Sequence, residues 1–404
     1  MNVAGWVWGL TIVGLIGLLA FDFVFHVRKA HVPTLKEAAV WSGGYIGVAV
    51  LFGVGVFVLG GADVGSEYLA GYVTEKALSV DNLFVFLIVM ASFRVPRENQ
   101  QKVLLFGIAF ALTARTGFIF LGAALINTFA WVFYFFGLIL LLTAGKMLKS
   151  ESGEESLKGN HVVIRLASKV IRTSEHYDGD KLSTTVAGRR VMTPMLLVMV
   201  AIAGTDVLFA LDSIPAIFGL TQNAYIVFTA TAFSLLGLRQ LYFLIDGLLD
   251  RLVYLSYGLS VILGFIGVKL VLHALHENTV PFINGGEPVD PNQTVEISTG
   301  LSLLVIVGVL AVTVVVSLLS GRGRAQTAIV NARRHANAYL DSEPTRGAAE
   351  RERIFTTLLA ECDQLLALRP KYWQMVSDEP ALIELVERAA ADHELVRSGQ
   401  TRSR

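Results

Sequence analysis

Nine stretches of about 20 mostly apolar residues recur along this chain, and no other feature restricts its fold as strongly. A hydrocarbon slab offers no water to backbone N–H and C=O groups, so such a segment has to close its hydrogen bonds internally, as an α-helix. The runs lie near residues 5–27, 41–60, 70–93, 103–126, 129–148, 194–217, 224–245, 252–274 and 299–320. Composition agrees, with 54% of the 404 residues hydrophobic and 16% charged, against about 25% charged in ordinary globular domains. The expected fold is all-α: a polytopic transmembrane helix bundle over residues 1–320, followed by a small cytosolic helical tail over 321–404.

The placement of charge is more informative than its sum, which is zero. Setting the N-terminus outside puts nearly all Lys and Arg into inner segments, which predicts an N-out, C-in multi-pass protein of a plasma (inner) membrane. The lipid bilayer is then the main partner, and nothing points to nucleic acid. The single cysteine, Cys362, lies in the tail, which leaves dithiol redox chemistry without a partner within the chain. Gly43, Gly44, Gly47, Gly53 and Gly55 of the second span offer small faces for close helix packing. The inner loop from Lys149 to Met192 contains an amphipathic stretch that fits either a membrane surface or a solvated loop. The segment from Glu277 to Glu296 reads as irregular connection. In the tail, Ile354, Leu358, Leu359, Cys362, Leu365 and Leu366 form a helical stripe, and a second helix is predicted from about Ser377, with Leu382, Leu385 and Val386 inward. The tail is the natural place for a cytosolic protein partner.

The third and sixth spans each carry two acids: Glu75 and Asp81 in TEKALSVDNLFVF, Asp206 and Asp212 in TDVLFALDSIPAI. A charged group at a helix centre costs roughly 2.5–3.5 kcal/mol on insertion scales, so acids there usually face a partner, a cavity or an ion path. Six residues on a straight helix turn the side chain by about 120°, so neither pair shares one face. Seven-residue spacing does align, which sets Glu75, Ser79 and Asn82 on one stripe of the third span, and Asp206 with Ser213, or Thr205 with Asp212, on the sixth. Pro215 is expected to loosen that helix and free carbonyl oxygens. The donors are carboxylate, amide and hydroxyl, hard ligands suited to Mn²⁺, Mg²⁺ or Ca²⁺. Arg115 and Arg239, within the fourth and seventh spans, are the expected charge partners of these acids. Two readings follow, a cation site or fixed structural ion pairs. Asp22 reads as a local pair with His26, Lys269 as a snorkelling side chain, and Lys76 as a group near an outer helix end. His273 with His276 offers a weaker metal-binding pair.

AFALTAR, ending at Arg115, resembles AFSLLGLR, ending at Arg239, and the three-span offset suggests an inverted repeat, a plan that transporters use. At these residues the chain resembles the TerC family of bacterial integral membrane proteins, including its manganese-exporter-like members. The matching strings are EKALSVDNLFVF, FRVP at Phe93–Pro96, DVLFALDSIPAIF from Asp206, and LGLRQLYFL from Leu236, within a core of about Val40 to Leu275. The resemblance implies a link to tellurium resistance and, in several members, Mn²⁺ export, with the family's acidic positions falling on Glu75, Asp81, Asp206 and Asp212 beside Asn82 and Ser213. Ala203 stands where many relatives carry Glu, and Thr231 near where many carry Asn. The expected function is therefore a non-enzymatic divalent-cation transporter, Mn²⁺ being its transported ion rather than a fixed cofactor and proton exchange a candidate coupling. The rival is a non-transporting membrane stress or tellurium-resistance scaffold acting through the loop and tail.

Overall fold

The computed structural model describes residues 3–24, 35–93, 95–129, 131–149, 179, 181–186, 189–245, 252–277, 297–341, 348–367 and 379–397. His26, most of the loop between Lys149 and Met192, and the segment from 278 to 296 lie outside them. The helices are α1 (Gly5–Asp22), α2 (Leu35–Gly60), α3 (Ala62–Ser92), α4 (Arg97–Thr128), α5 (Val132–Lys149), α6 (Pro194–Phe218), α7 (Ala224–Leu235), α8 (Leu238–Ile245), α9 (Leu255–Glu277), α10 (Thr299–Leu319), α11 (Gly321–Asp341), α12 (Ala348–Leu366) and α13 (Glu379–Arg397). One antiparallel hairpin, β1 (Ser183–Val186) with β2 (Arg189–Met192), pairs Ser183 with Met192 and Val186 with Arg189.

Eight candidate spans among the described residues are long and apolar enough to cross a membrane, α7 and α8 counting together as one. α3 joins them by length, since 31 residues reach about 46 Å at 1.5 Å per residue, although its acids and Lys76 lower its hydropathy. Val58 and Leu59 of α2 are 73% and 86% exposed, which suits a face turned to lipid, where aliphatic side chains carry no penalty.

The chain divides into two compact units, Met1–Leu244 with Ser256–Leu310, and Ile245–Leu255 with Ala311–Arg404. In the first, α3 and α7 pack together at the centre, flanked by α2, α4 and α6. Along the α7–α8 stretch from Ala224 to Leu244 nearly every residue is buried, as expected of a helix apolar on every side. Tyr45, Tyr68, Tyr72, Tyr225, Phe228 and Phe233 form its aromatic core. α2 and α3 make a hairpin through Gly61 alone, at φ 89°, a left-handed conformation that a side chain would strain. Gly65 then lets α3 run against α2, because a Cβ there would lie 2.8 Å from the Phe57 Cα.

Several expectations are corrected. Of the five α2 glycines expected to pack, Gly43, Gly44, Gly47, Gly53 and Gly55, a Cβ would have a neighbour within 4 Å among the described residues only at Gly53, against Tyr68 and Leu69; close helix approach arises at other glycines, such as Gly107 against Ile202 and Gly122 against Phe218. α3 begins at Ala62, eight residues before its apolar run, so Lys76 sits mid-helix. α6 runs unbroken across Pro215 to Phe218, because the proline falls in the last turn and Gly219 N–H still reaches the Pro215 carbonyl at 2.9 Å. The interruption lies elsewhere, at Leu236 and Gly237 between α7 and α8, inside what the hydropathy reads as one span.

In the second unit α11 packs on α12 and α13. Leu358, Leu365 and Leu382 are buried there, with Ile354, Cys362, Leu385 and Val386 packed around them, while Leu359 and Leu366 face outward.

Candidate ion site within the helix bundle

Arg115 on α4 is fully buried and binds two helices at once. Its Nη2 donates to Asp206 Oδ1 at 3.0 Å and its Nε to Asp206 Oδ2 at 3.4 Å, a two-pronged grip on the α6 carboxylate. Nη1 pairs with the Glu75 carboxylate of α3 and lies 3.3 Å from Ser213 Oγ. Glu75, Asp206 and Ser213 are each at most 2% exposed. The geometry follows from helix directions: Gly122 meets Phe218 and Gly107 meets Ile202, so α4 and α6 run in parallel and Arg115 falls level with the middle of α6. The guanidinium suits this place because its planar fork meets a carboxylate with two hydrogen bonds and stays charged when buried.

The other predicted residues do not join that cluster. Asp212 accepts from Thr143 Oγ1 of α5 at 2.8 Å, on a different face of α6 from Asp206, as six-residue spacing requires. Asp81, partly buried on α3, makes no hydrogen bond or ion pair within the described residues. Asn82 is buried near it, seven residues beyond Glu75. Ser79 Oγ and Thr231 Oγ1 are buried without a hydrogen-bond partner among the described residues. No group of three or more His, Cys, Asp or Glu side chains among the described residues is gathered to hold a metal ion. In this arrangement a guanidinium, with its charge, occupies the space between Glu75 and Asp206.

Arg239 does not pair with the acids of α3 or α6. Its Nη2 and Nε donate to Asp22 of α1 at 2.8 and 3.0 Å, and its Nη1 to Gln101 Oε1 of α4 at 2.8 Å. Asp22 also accepts from Gln240 at 2.7 Å and from Tyr45 Oη at 3.0 Å. Asp22 is thus the buried hub of a second polar knot, toward the opposite end of the bundle from Phe218; His26, its expected partner, lies outside the described residues. Sequence reasoning missed it because Asp22, near the end of the first apolar run, already had a local partner in His26 four residues on, and because Gln101 stands in the polar start of α4. The one available signal was Arg239 itself, a cation within an apolar span that needed an acid.

Toward the Phe218 end of α6 lies a cavity of about 280 Å³ lined by Glu67, Thr221, Gln222, Lys269 and His273, among others. Thr221 Oγ1 donates to Glu67 Oε2, and Lys269 Nζ lies 3.2 Å from Ser302 Oγ. The His273 ring contacts Gln222 at 2.8 Å and stands edge-on to Phe133.

A bundle of apolar helices around buried ion pairs defines the class: a polytopic α-helical integral membrane protein. The sequence profile described as "Integral membrane protein TerC family" matches residues 60–324. This chain belongs to the TerC family. The match starts later than the resemblance suggested and runs through α10 into α11. The chain is 58% identical over 394 residues, 97% of this chain and 98% of the relative, to an "Uncharacterized membrane protein" of Mycobacterium tuberculosis (strain ATCC 25618 / H37Rv). It is 37% identical over 316 residues to a membrane protein of Myxococcus xanthus, covering 78% and 92% of the two chains. It is 38% identical over 283 residues to the "Putative membrane-bound redox modulator Alx" of Escherichia coli (strain K12), covering 67% and 88%. No solved structure matches the chain.

Proposed function

We propose that this chain carries divalent cations across a bacterial plasma membrane, N-terminus outside and C-terminus in the cytosol, with Mn²⁺ exported as its substrate. The carrying observation is the meeting of Glu75 and Asp206, from two different helices, on one fully buried guanidinium. A carboxylate pair held by a charge-bearing side chain is a site that a mobile cation can compete for, and Ser213, already within reach of the same guanidinium, adds a hydroxyl oxygen. Asp22 and Arg239 neutralise each other, so Arg239 is not the counter-charge of the acids of α3 and α6. Glu75, Asp81, Asp206 and Asp212 together offer carboxylate charge that a divalent ion can neutralise. Protonation of the same carboxylates after release would restore neutrality and gives proton exchange a route. All the donors are hard oxygens, with Asn82 and the Ser79 hydroxyl, unpartnered among the described residues, close in sequence to the α3 acids, a set suited to Mn²⁺ over Zn²⁺ or Cu⁺. The outward direction and the preference for Mn²⁺ rest on the family resemblance.

Redox modulation is the role named for the Escherichia coli relative; in this chain, with one cysteine, it has no intramolecular dithiol to act through. The scaffold reading draws on a different observation, that α11, α12 and α13 have a core of their own that could hold a cytosolic partner. Mn²⁺ flux into proteoliposomes separates the readings. Saturable flux that Asp81→Asn and Asp212→Asn abolish, with Ca²⁺, Mg²⁺ and Zn²⁺ as competitors, is the expected result. A correctly folded wild-type chain that moves none of these ions would sink the transport reading.

A further inference from the structure

The α7–α8 span breaks inside the apolar core, and the break has a cation in it. Leu236 is extended (ψ 136°) and Gly237 turns the chain at φ 75°. A Cβ at Gly237 would lie 2.8 Å from the Tyr45 Cβ, so glycine is needed there for both conformation and space. An interrupted helix exposes carbonyl oxygens, and away from water each requires a donor or an ion. Two of them, Ser234 O and Leu236 O, converge on the Lys76 ammonium at 2.9 and 3.3 Å. The Ser234 and Thr231 hydroxyls, on the turns leading into the break, are buried and unpartnered among the described residues. Backbone carbonyls at unwound helix segments are the ligands that discontinuous transporter helices present to monovalent cations.

We propose that the α7–α8 break is a monovalent-cation site whose resident occupant is the Lys76 ammonium, delivered on a tether from α3. Its ligand class is a primary ammonium or an alkali cation held by carbonyl and hydroxyl oxygens. Lys76 thereby ties α3 to the interruption between α7 and α8. It stands independently of the transport reading.

The test is thermal unfolding of the full chain in detergent. Lys76→Ala removes three methylenes and the ammonium, the shape of n-propylammonium. The expected result is a lowered midpoint that tens of millimolar n-propylammonium chloride raises by at least about 3 °C, with no comparable rise in wild type or Lys269→Ala. Neither 1-propanol nor tetramethylammonium chloride should reproduce the effect. Where Lys76→Ala does not accumulate, Lys76→Met, which keeps the stem, carries the test with ammonium and potassium chloride at equal ionic strength. A midpoint indifferent to all these cations, or one restored equally by propanol, overturns the proposal, the latter because only the apolar stem then matters.

Discussion

At the scale of single residues, the behaviour of the buried charges follows from what each one touches. Arg115 satisfies Glu75 and Asp206 together, so Arg115→Met leaves two carboxylates stranded in a dry core and should cost about 3–5 kcal/mol of stability. Adding Glu75→Gln and Asp206→Asn removes the stranded charges and should return most of that loss, read as the unfolding midpoint of the three proteins in detergent. Asp81 is a different case, since its carboxylate makes no ion pair within the described residues. Asp81→Asn should leave the midpoint at or above that of wild type while stopping Mn²⁺ flux, a combination that an acid needed for structure would not show. Outside the bundle, burial together with the neighbouring acids Glu361 and Asp363 raises the Cys362 thiol above its ordinary value. A raised thiol holds less thiolate at any pH below it, so maleimide labelling at about pH 7.5 should run slower than for a free cysteine peptide and catch up as pH rises.

Among the elements, the decisive one is the interrupted α7–α8 span. Its two halves are held by unlike devices: α8 by Arg239 and Gln240 on Asp22 of α1, and the end of α7 by Lys76 of α3. Gly237→Val forces a β-branched residue into a positive φ and against Tyr45. It should destabilise the chain by about 1–3 kcal/mol through backbone strain alone, more with the clash, read as a fall in the unfolding midpoint. The acid-bearing helices were legible because an acid in an apolar run is costly enough to need a reason. The break was not, because Leu236 and Gly237 leave the hydropathy of the span almost unaltered and a single glycine within a helix is ordinarily tolerated.

For the whole molecule, the two compact units make separable predictions. Leu358 is buried in the core of α11, α12 and α13, so Leu358→Ala should cost that unit about 2–5 kcal/mol. Under the transport reading, Mn²⁺ flux should survive this change in proteoliposomes, whereas a scaffold working through the tail would lose its function in cells.

Length, hydropathy and the cost of burying charge were enough to determine an all-α membrane bundle, and Glu75, Asp206 and Arg115 as residues requiring partners. These are local properties, since a helix in lipid closes its own backbone hydrogen bonds whatever surrounds it. Which charge meets which was decided only by tertiary structure. Helical spacing says that Glu75 and Asp81 face apart, but not that Glu75 meets Arg115, that Asp22 rather than an α3 or α6 acid meets Arg239, or that Lys76 fills a break made by another helix. Such pairings join residues up to 217 positions apart, and they depend on the directions, tilts and glycine-lined approaches of packed helices, quantities that no single span encodes.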